Sequence, residues 1–307
     1  MESIDVIGLG ASTVDIVTLV DHFPKGKEVQ QAVDMIVQGG GTIATAMVTL
    51  ARLGAKAAMI DAIGDDWRGE LIREEFQKEG VNIGLIEVCQ GCTSSVSSIL
   101  VTKADGTRAI TFWPGSGGET SITNTHRSAI ESAKFLHISG RHWEACVQAV
   151  KWAREAGVQV SFDGGVDRYR PALRELVPLT DVCIVARDFA EKYTGEADIS
   201  KAAELIEKSG PRLVVITDGK RGSWVHSREG QAFHQKAYLF PDVVDTTGCG
   251  DSYHGAFLFG LLRGMGLEQS ASLASAVAGL NSQRLGGRSG IPTLKDVETF
   301  LTGDNRR

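Results

Sequence analysis

No stretch of this sequence is apolar for long enough to form a membrane-crossing helix. An excess of base is also lacking. Against 38 acidic residues stand 32 basic ones, a net charge of −6, and this argues against a nucleic-acid backbone as the main partner. Five scattered cysteines make no disulfide framework. Cys89-Gln90-Gly91-Cys92 is a lone CxxC without a second ligand pair, and it reads as two ordinary thiols rather than a zinc site. The start, Met1-Glu2-Ser3-Ile4-Asp5, is acidic and lacks a signal-peptide pattern, so the expected location is the cytoplasm. Internal repeats, low-complexity runs and long charged linkers are missing too. The expectation is one domain over residues 1–307.

Glycine, by contrast, is plentiful. The 36 glycines cluster at Gly39-Gly40-Gly41, Gly248-Cys249-Gly250 and Gly286-Gly287. Clustered glycine points to tight turns or to backbone approaching a ligand closely. With 42% hydrophobic residues the chain can build one large core.

Strand-like and helix-like runs alternate along it. Strands are expected at Ile4–Gly8, Lys56–Ile63, Phe135–Ser139, Val158–Phe162, Val182–Val185 and Leu213–Thr217. Helices are expected at Thr42–Leu53, Trp67–Glu79 and Trp143–Ala156, each followed by a glycine stop. That order implies α/β architecture with a mostly parallel sheet covered by helices. Two segments, about residues 13–37 and 94–115, instead alternate apolar and polar residues. They read as antiparallel strands with one polar face, able to pair into a small sheet beside the main one.

The most informative stretch is Val243-Val244-Asp245-Thr246-Thr247-Gly248-Cys249-Gly250-Asp251-Ser252-Tyr253-His254-Gly255-Ala256-Phe257. A β-like run enters it and a helix leaves it. A glycine-rich loop at a helix N-terminus offers unpaired N–H groups and the positive end of the helix dipole, so it can stabilise negative charge without a lysine. Asp251 falls in the first turn of that helix. There it could cap the helix, or accept a proton from a hydroxyl attacking a phosphoryl group. Cys249 at the same N-terminus is expected to have a lowered pKa and to react with alkylating reagents unless a ligand bound at the loop protects it.

The string Asp-Thr-Thr-Gly-Cys-Gly-Asp followed by Gly-Ala resembles the C-terminal signature of the ribokinase-like (PfkB-type) carbohydrate kinases. The resemblance extends over nearly the whole chain and implies a three-layer α/β sandwich with a small β lid. It assigns Asp251 as catalytic base, with the N–H groups of Gly248, Cys249 and Gly250 holding the developing charge. The family's N-terminal double glycine corresponds to Gly40-Gly41, followed by a helix ending Ala51-Arg52-Leu53-Gly54. Where the family usually has Asn, Thr45 stands, which keeps a hydroxyl but loses the amide's donors. Asp15 matches the sugar-binding acid at the lid entry.

Asp188-Phe189-Ala190-Glu191 matches an Asn-x-x-Glu element, which places Glu191 in the water shell of magnesium. Thr217, Gly219 and Gly222 match the ATP-binding turn, and Ser275 and Gly279 lie on the adenine-facing helix. Asp245, Thr247 and Gly286 match a loop pair that often surrounds a monovalent cation such as potassium. ATP, Mg2+ and a small sugar are therefore the implied ligands, and a homodimer through the lid the implied assembly.

His137-Ile138-Ser139-Gly140-Arg141-His142-Trp143 resembles ketohexokinases and sulfofructose kinases. Arg141 could grip an anionic substituent or serve as a sheet-edge ion-pair partner. The expected acceptor is a primary hydroxyl of a ketose-like sugar, and Arg141 admits an anionic one such as sulfofructose. Three rival readings stand beside it. One is a nucleoside kinase of the same fold, and another a kinase-like regulator without catalysis. The third is a dinucleotide oxidoreductase suggested by Gly8-Leu9-Gly10 after a strand, though the third glycine of that fingerprint is missing.

Overall fold

The computed structural model describes residues 4–303; Met1–Ser3, part of the N-terminal segment read above, lie outside the described residues. In chain order, strand β1 (Val6–Leu9) leads into β2 (Thr13–Val20) and β3 (Asp34–Gly40). Helix α1 (Thr42–Arg52), β4 (Ala57–Gly64), α2 (Trp67–Lys78) and β5 (Ile86–Cys89) follow. Next come β6 (Ser95–Thr102), β7 (Arg108–Trp113), α3 (Asn124–Ser132), β8 (Phe135–Ile138), α4 (Trp143–Glu155) and β9 (Gln159–Gly164). The rest comprises α5 (Leu173–Leu176), β10 (Val182–Ala186), α6 (Arg187–Thr194), α7 (Ile199–Ser209), β11 (Leu213–Thr217), β12 (Ser223–Ser227), β13 (Ala232–Gln235), α8 (Cys249–Leu262), α9 (Leu267–Asn281) and α10 (Leu294–Gly303). The expected glycine stops are real. Gly54, Gly80 and Gly157 close α1, α2 and α4 with φ of 96°, 75° and 74°, a conformation that favours glycine.

The large sheet runs β13-β12-β11-β10-β9-β8-β1-β4-β5 and is parallel from β11 to β5. Its strands are apolar on both faces, as a sheet covered on both sides requires. Val6, Met59, Ile184 and Val215 point into one core with α1, α8 and α9. Their neighbours Ile7, Ile60, Val185 and Ile216 point into the other, with α4, α6 and α7. The result is the three-layer sandwich that the sequence implied. The edge pair β12–β13 is antiparallel and was not foreseen.

A second sheet, β3-β2-β6-β7, is the small lid. Its two hairpins join through a parallel β2–β6 pairing. The register places Thr13, Asp15, Ser97, Arg108, Ile110 and Phe112 on one face, opposite the ends of the large sheet. On the other face lie Met35 and Val37, exposed at 57% and 43%.

Two expectations need correction and one rival reading falls. Val243–Val244 does not form a strand. The N–H groups of Val244 and Asp245 both donate to Ser282 O at the end of α9, at 2.9 and 3.2 Å, which pins the segment to a helix end. Cys89 and Cys92 are not separate thiols. A turn with Gly91 at φ 71° brings their Cα atoms to 5.5 Å and the sulfurs are bonded. Finally, Gly8 and Gly10 do not form a phosphate turn. A Cβ on either would strike Ile43, and on Gly8 also Met47, so these glycines let α1 pack closely on β1. No helix among the described residues is long and apolar enough to cross a membrane.

Candidate active site

Parallel strands end together, and loops leaving their carboxyl ends build a crevice between the large sheet and the lid. The cavity there has a volume of about 1300 Å³. It gathers nearly every residue singled out from the sequence: Asp15, Gly41, Thr45 and Arg141 near the lid, Thr217, Gly219, Gly222, Ser275 and Gly279 along the far arm, and Glu191, Thr247, Gly248, Cys249, Gly250 and Asp251 between them. Gly40, Asp245 and Gly286 stand just behind the wall.

The N-terminus of α8 opens onto the cavity. Gly248 precedes the helix at φ 70°, and a Cβ on it would fall 2.2 Å from Gly287 O, so only glycine fits. The first N–H groups of a helix lack intrahelical acceptors; here Gly248, Cys249 and Gly250 line the cavity, with Cys249 N donating to Thr246 O at 3.4 Å. Asp251 sits in that first turn. Burial is the main cause that pushes its pKa up to about 7, and the negative Asp163 adds to it; Arg168 and Arg108 oppose them. A carboxylate with that pKa is both available and basic near neutrality.

The pKa of Cys249 moves opposite to the expected direction. Burial and the neighbouring Asp245 push its thiol up to about 12. Alkylation at pH 7.5 (a condition of about neutral pH) is expected to be no faster than that of an ordinary thiol. Rapid stoichiometric labelling of Cys249, read by peptide mass, would show the dipole winning after all.

The carboxylate at the lid entry is held by its neighbours. Asp15 is 6% exposed and accepts from Thr13 Oγ1 at 2.7 Å. Burial is the largest influence on it and raises its pKa, while Thr13 and Arg288 draw it down. A Cβ at Gly40 would lie 2.1 Å from Asp15 Oδ2, which explains the double glycine: the strand must pass flush against the carboxylate.

Arg288 was missed as a site residue, although it stands in the Gly286–Gly290 string. It is 4% exposed and donates to Thr45 Oγ1 at 3.1 Å, Gly40 O at 2.7 Å and Glu75 Oε2 at 3.3 Å. It thereby locks the lid strand, the first helix and the C-terminal loop into one unit. Thr45 keeps its own hydroxyl proton for a ligand.

Asp245 is fully buried and accepts from Thr247 N at 2.7 Å and Gly286 N at 2.8 Å. It thus ties the glycine loop to the C-terminal loop, while Thr247 Oγ1 is buried without a partner. On the opposite wall, Glu191 accepts from Arg187 Nε at 2.7 Å, and Asp188 Oδ2 accepts from Asp167 N at 2.8 Å. In the turn after β11, Asp218 holds Arg221 at 2.6 and 2.8 Å, and Gly222 passes so near Gln235 O that a Cβ would lie 2.0 Å away.

Arg141 follows β8 and lies over the Phe112 ring of the lid, 5.9 Å from its centroid. Its Nε is buried without a partner, and among the described residues it makes no ion pair. The sheet-edge reading therefore finds no partner acid. Arg108, also unforeseen, reaches from the lid to Thr246 Oγ1 at 2.7 Å and bridges lid and glycine loop.

Residues 1–294 match the pfkB family carbohydrate kinases. The chain belongs to this family. It is an ATP-dependent phosphotransferase with an alcohol acceptor, of the class that acts on sugars and nucleosides. Among curated relatives, a nucleoside kinase of Methanothermobacter thermautotrophicus is 28% identical over 95% of this chain and 93% of its own. A ribokinase of Haemophilus influenzae is also 28% identical, over 95% and 97%. Mouse ketohexokinase is 23% identical over 91% and 96%. Thermotoga maritima ribokinase superposes with a TM-score of 0.82 at 26% identity, covering 97% of this chain and 99% of that one. Such relatives span several acceptors, so the PfkB assignment fixes the reaction class and leaves the choice of acceptor to the site.

ATP and Mg2+ are typical of PfkB kinases, and an Escherichia coli chain of the same fold (TM-score 0.83, 22% identical, 98% and 99% covered) was crystallised with both. The residues here fit them. The glycine approaches at Gly222 and Gly248 leave the backbone bare, and Asp188 and Glu191 are already engaged by protein donors. That suits a magnesium ion held through its waters rather than by direct ligation.

Proposed function

We propose that this PfkB kinase passes the γ-phosphoryl group of ATP to a primary hydroxyl of an anionic ketose, such as sulfofructose, with Asp251 as the base. Arg141 carries the reading. An arginine at the acceptor end of a cavity, stacked on an apolar ring and lacking an acid partner, suits a sulfonate or phosphate bidentately. Asp15 and Thr45 would hold the sugar hydroxyls, with Gly40 and Gly41 allowing the close approach. As the substrate oxygen bonds to phosphorus, its proton moves to Asp251 and the bond to the β-phosphate oxygen breaks, releasing ADP. The N–H groups of Gly248, Cys249 and Gly250 hold the charge that builds up. Magnesium, when bound, supplies charge neutralisation on the phosphates, and Glu191 would orient its waters. Thr217, Gly219, Gly222, Ser275 and Gly279 would line the nucleotide arm.

A monovalent cation such as K+ at Asp245, Thr247 and Gly286 is part of the proposal. A fully buried carboxylate beside an unpartnered Thr247 hydroxyl supports it. The test is coupled ADP release with ATP, Mg2+ and either K+ or choline, against ketoses, aldoses, their sulfonated and phosphorylated forms, and nucleosides. Turnover led by an anionic ketose and raised by K+ supports the reading. Turnover led by a nucleoside transfers the assignment to a nucleoside kinase, and ATP binding without turnover on any acceptor favours a regulator.

A dimer through the lid is proposed as well, supported by the apolar outward face at Met35 and Val37. Light scattering should give twice the chain mass, and Met35→Asp with Val37→Asp should halve it. A wild-type monomer at micromolar concentration (about 10 µM, where a dimer with a Kd of about 1 µM is mostly assembled) refutes this assembly.

A further inference from the structure

Beneath Asp251 lies a cluster that phosphoryl transfer does not use. His137 on β8, Asp163 on β9 and His254 on α8 are 0%, 1% and 2% exposed. Each can offer one ligand atom, and those atoms lie within 4.8 Å of one another. Four polar atoms there are buried without partners: Nε2 of His137, both carboxylate oxygens of Asp163, and Nδ1 of His254. Buried polar groups normally find partners, and four orphans in one cluster imply something that the protein atoms do not provide.

The chemistry of the set narrows the choice. Ser161 Oγ stands 3.1 Å from His137 Nδ1, which fixes the ring and leaves Nε2 free, as a supporting hydroxyl does behind a ligating imidazole. His254 Nε2 is 3.7 Å from Asp163 Oδ1, too far for a hydrogen bond. Burial drives the pKa of both imidazoles down, His137 to about 3, so their lone pairs stay available near neutrality. The charged groups facing the cluster are Asp251 and Arg168. Two neutral imidazoles and one carboxylate suit zinc and its neighbours, whereas magnesium takes oxygen ligands and keeps its waters. Asp163 and His254 also line the cavity, which gives an ion an entry path and a water for the open position.

We propose that His137, Asp163 and His254 bind one borderline divalent transition-metal ion, of the Zn2+ type, at a site separate from the Mg2+ that accompanies ATP. The ligands would draw together by roughly 1 Å to reach bonds of about 2.0–2.2 Å. The bound charge would offset Asp163, which faces Asp251 from below. The proposal does not depend on which sugar is the acceptor.

The test uses full-length protein stripped with a chelator and titrated with Co2+ as the probe. The expected result is an intense visible d–d absorption that saturates at one equivalent per chain, is displaced by Zn2+ and survives excess Mg2+. His137→Asn and His254→Gln should each weaken Co2+ binding by at least about 100-fold while melting within a few degrees of wild type (about 5 °C). If either variant does not fold, the wild-type titration and Asp163→Asn decide. No saturable band in folded wild type overturns the site. So does a thiolate-to-cobalt charge-transfer band, which would place the ion at a cysteine, or a band unchanged in His137→Asn.

Discussion

Asp251→Asn lowers kcat by roughly 10²- to 10⁴-fold while the protein stays folded, the range expected when a positioned general base is removed. The wild-type enzyme should show its cause in kcat/KM. With the carboxylate pushed up to about 7 in the free enzyme, activity falls tenfold per unit as pH drops below that value.

The same shift makes a stability prediction. The folded pKa lies above the ordinary 3.8, so the native state binds more protons than the unfolded chain between those values. Stability is lost as pH rises through that window, and above about 7 the cost of the buried charge is complete. Asn carries no such charge. The variant should therefore melt higher than wild type at pH 8 (about one unit above the carboxylate's range), and the gap should close toward pH 4 (about the unfolded pKa). Each kcal/mol regained raises Tm by about 2–4 °C in a domain of this kind. Loss of activity with a raised Tm separates a catalytic carboxylate from a structural helix cap, whose removal would lower both. Near-normal turnover by a folded Asp251→Asn protein would refute the assignment.

The second large effect concerns the acceptor. Arg141→Ala lowers kcat/KM for the anionic ketose on the order of 10²- to 10³-fold, equivalent to about 3–4 kcal/mol, because the site loses a charge-assisted pair. For a neutral ketose the change should stay within about threefold, since an uncharged sugar never made that pair. Arg141→Lys should recover only part of the loss, because an ammonium lacks the planar fork. An equal loss on both sugars would show that Arg141 supports the fold through its stacking on Phe112 rather than reading charge.

The main layers were legible in the sequence because their signals are local. Glycine stops after α1, α2 and α4 need only φ near +75° to +95°, which no other residue adopts as readily. Likewise Gly248-Cys249-Gly250-Asp251 declares a loop-to-helix turn by itself. The alternation in β2 and β6 shows a polar face, and that face carries Asp15 into the cavity. Illegible were contacts between distant segments. Arg288 meets Thr45, 243 residues away in sequence, and no spacing announces that bond. Arg108 and Asp163 enter the site because the lid folds over the sheet and β9 ends beneath α8. The pKa of Cys249 runs opposite to the expectation for a related reason: the helix N-terminus is visible in sequence, but the burial and the Asp245 charge that raise the pKa are not. Val243–Val244 looked like a strand because β-branched residues suit one, while the acceptor that captured their backbone, Ser282 O, lies at the end of another helix.

The most direct measurement of the central claim is kcat/KM of the wild-type enzyme on sulfofructose and on fructose, with ATP, Mg2+ and K+ held constant and the phosphorylated product identified by mass. The account predicts a preference for the anionic sugar on the order of 10²-fold or more, abolished in Arg141→Ala. Equal use of both sugars, or a preference for fructose, would contradict it.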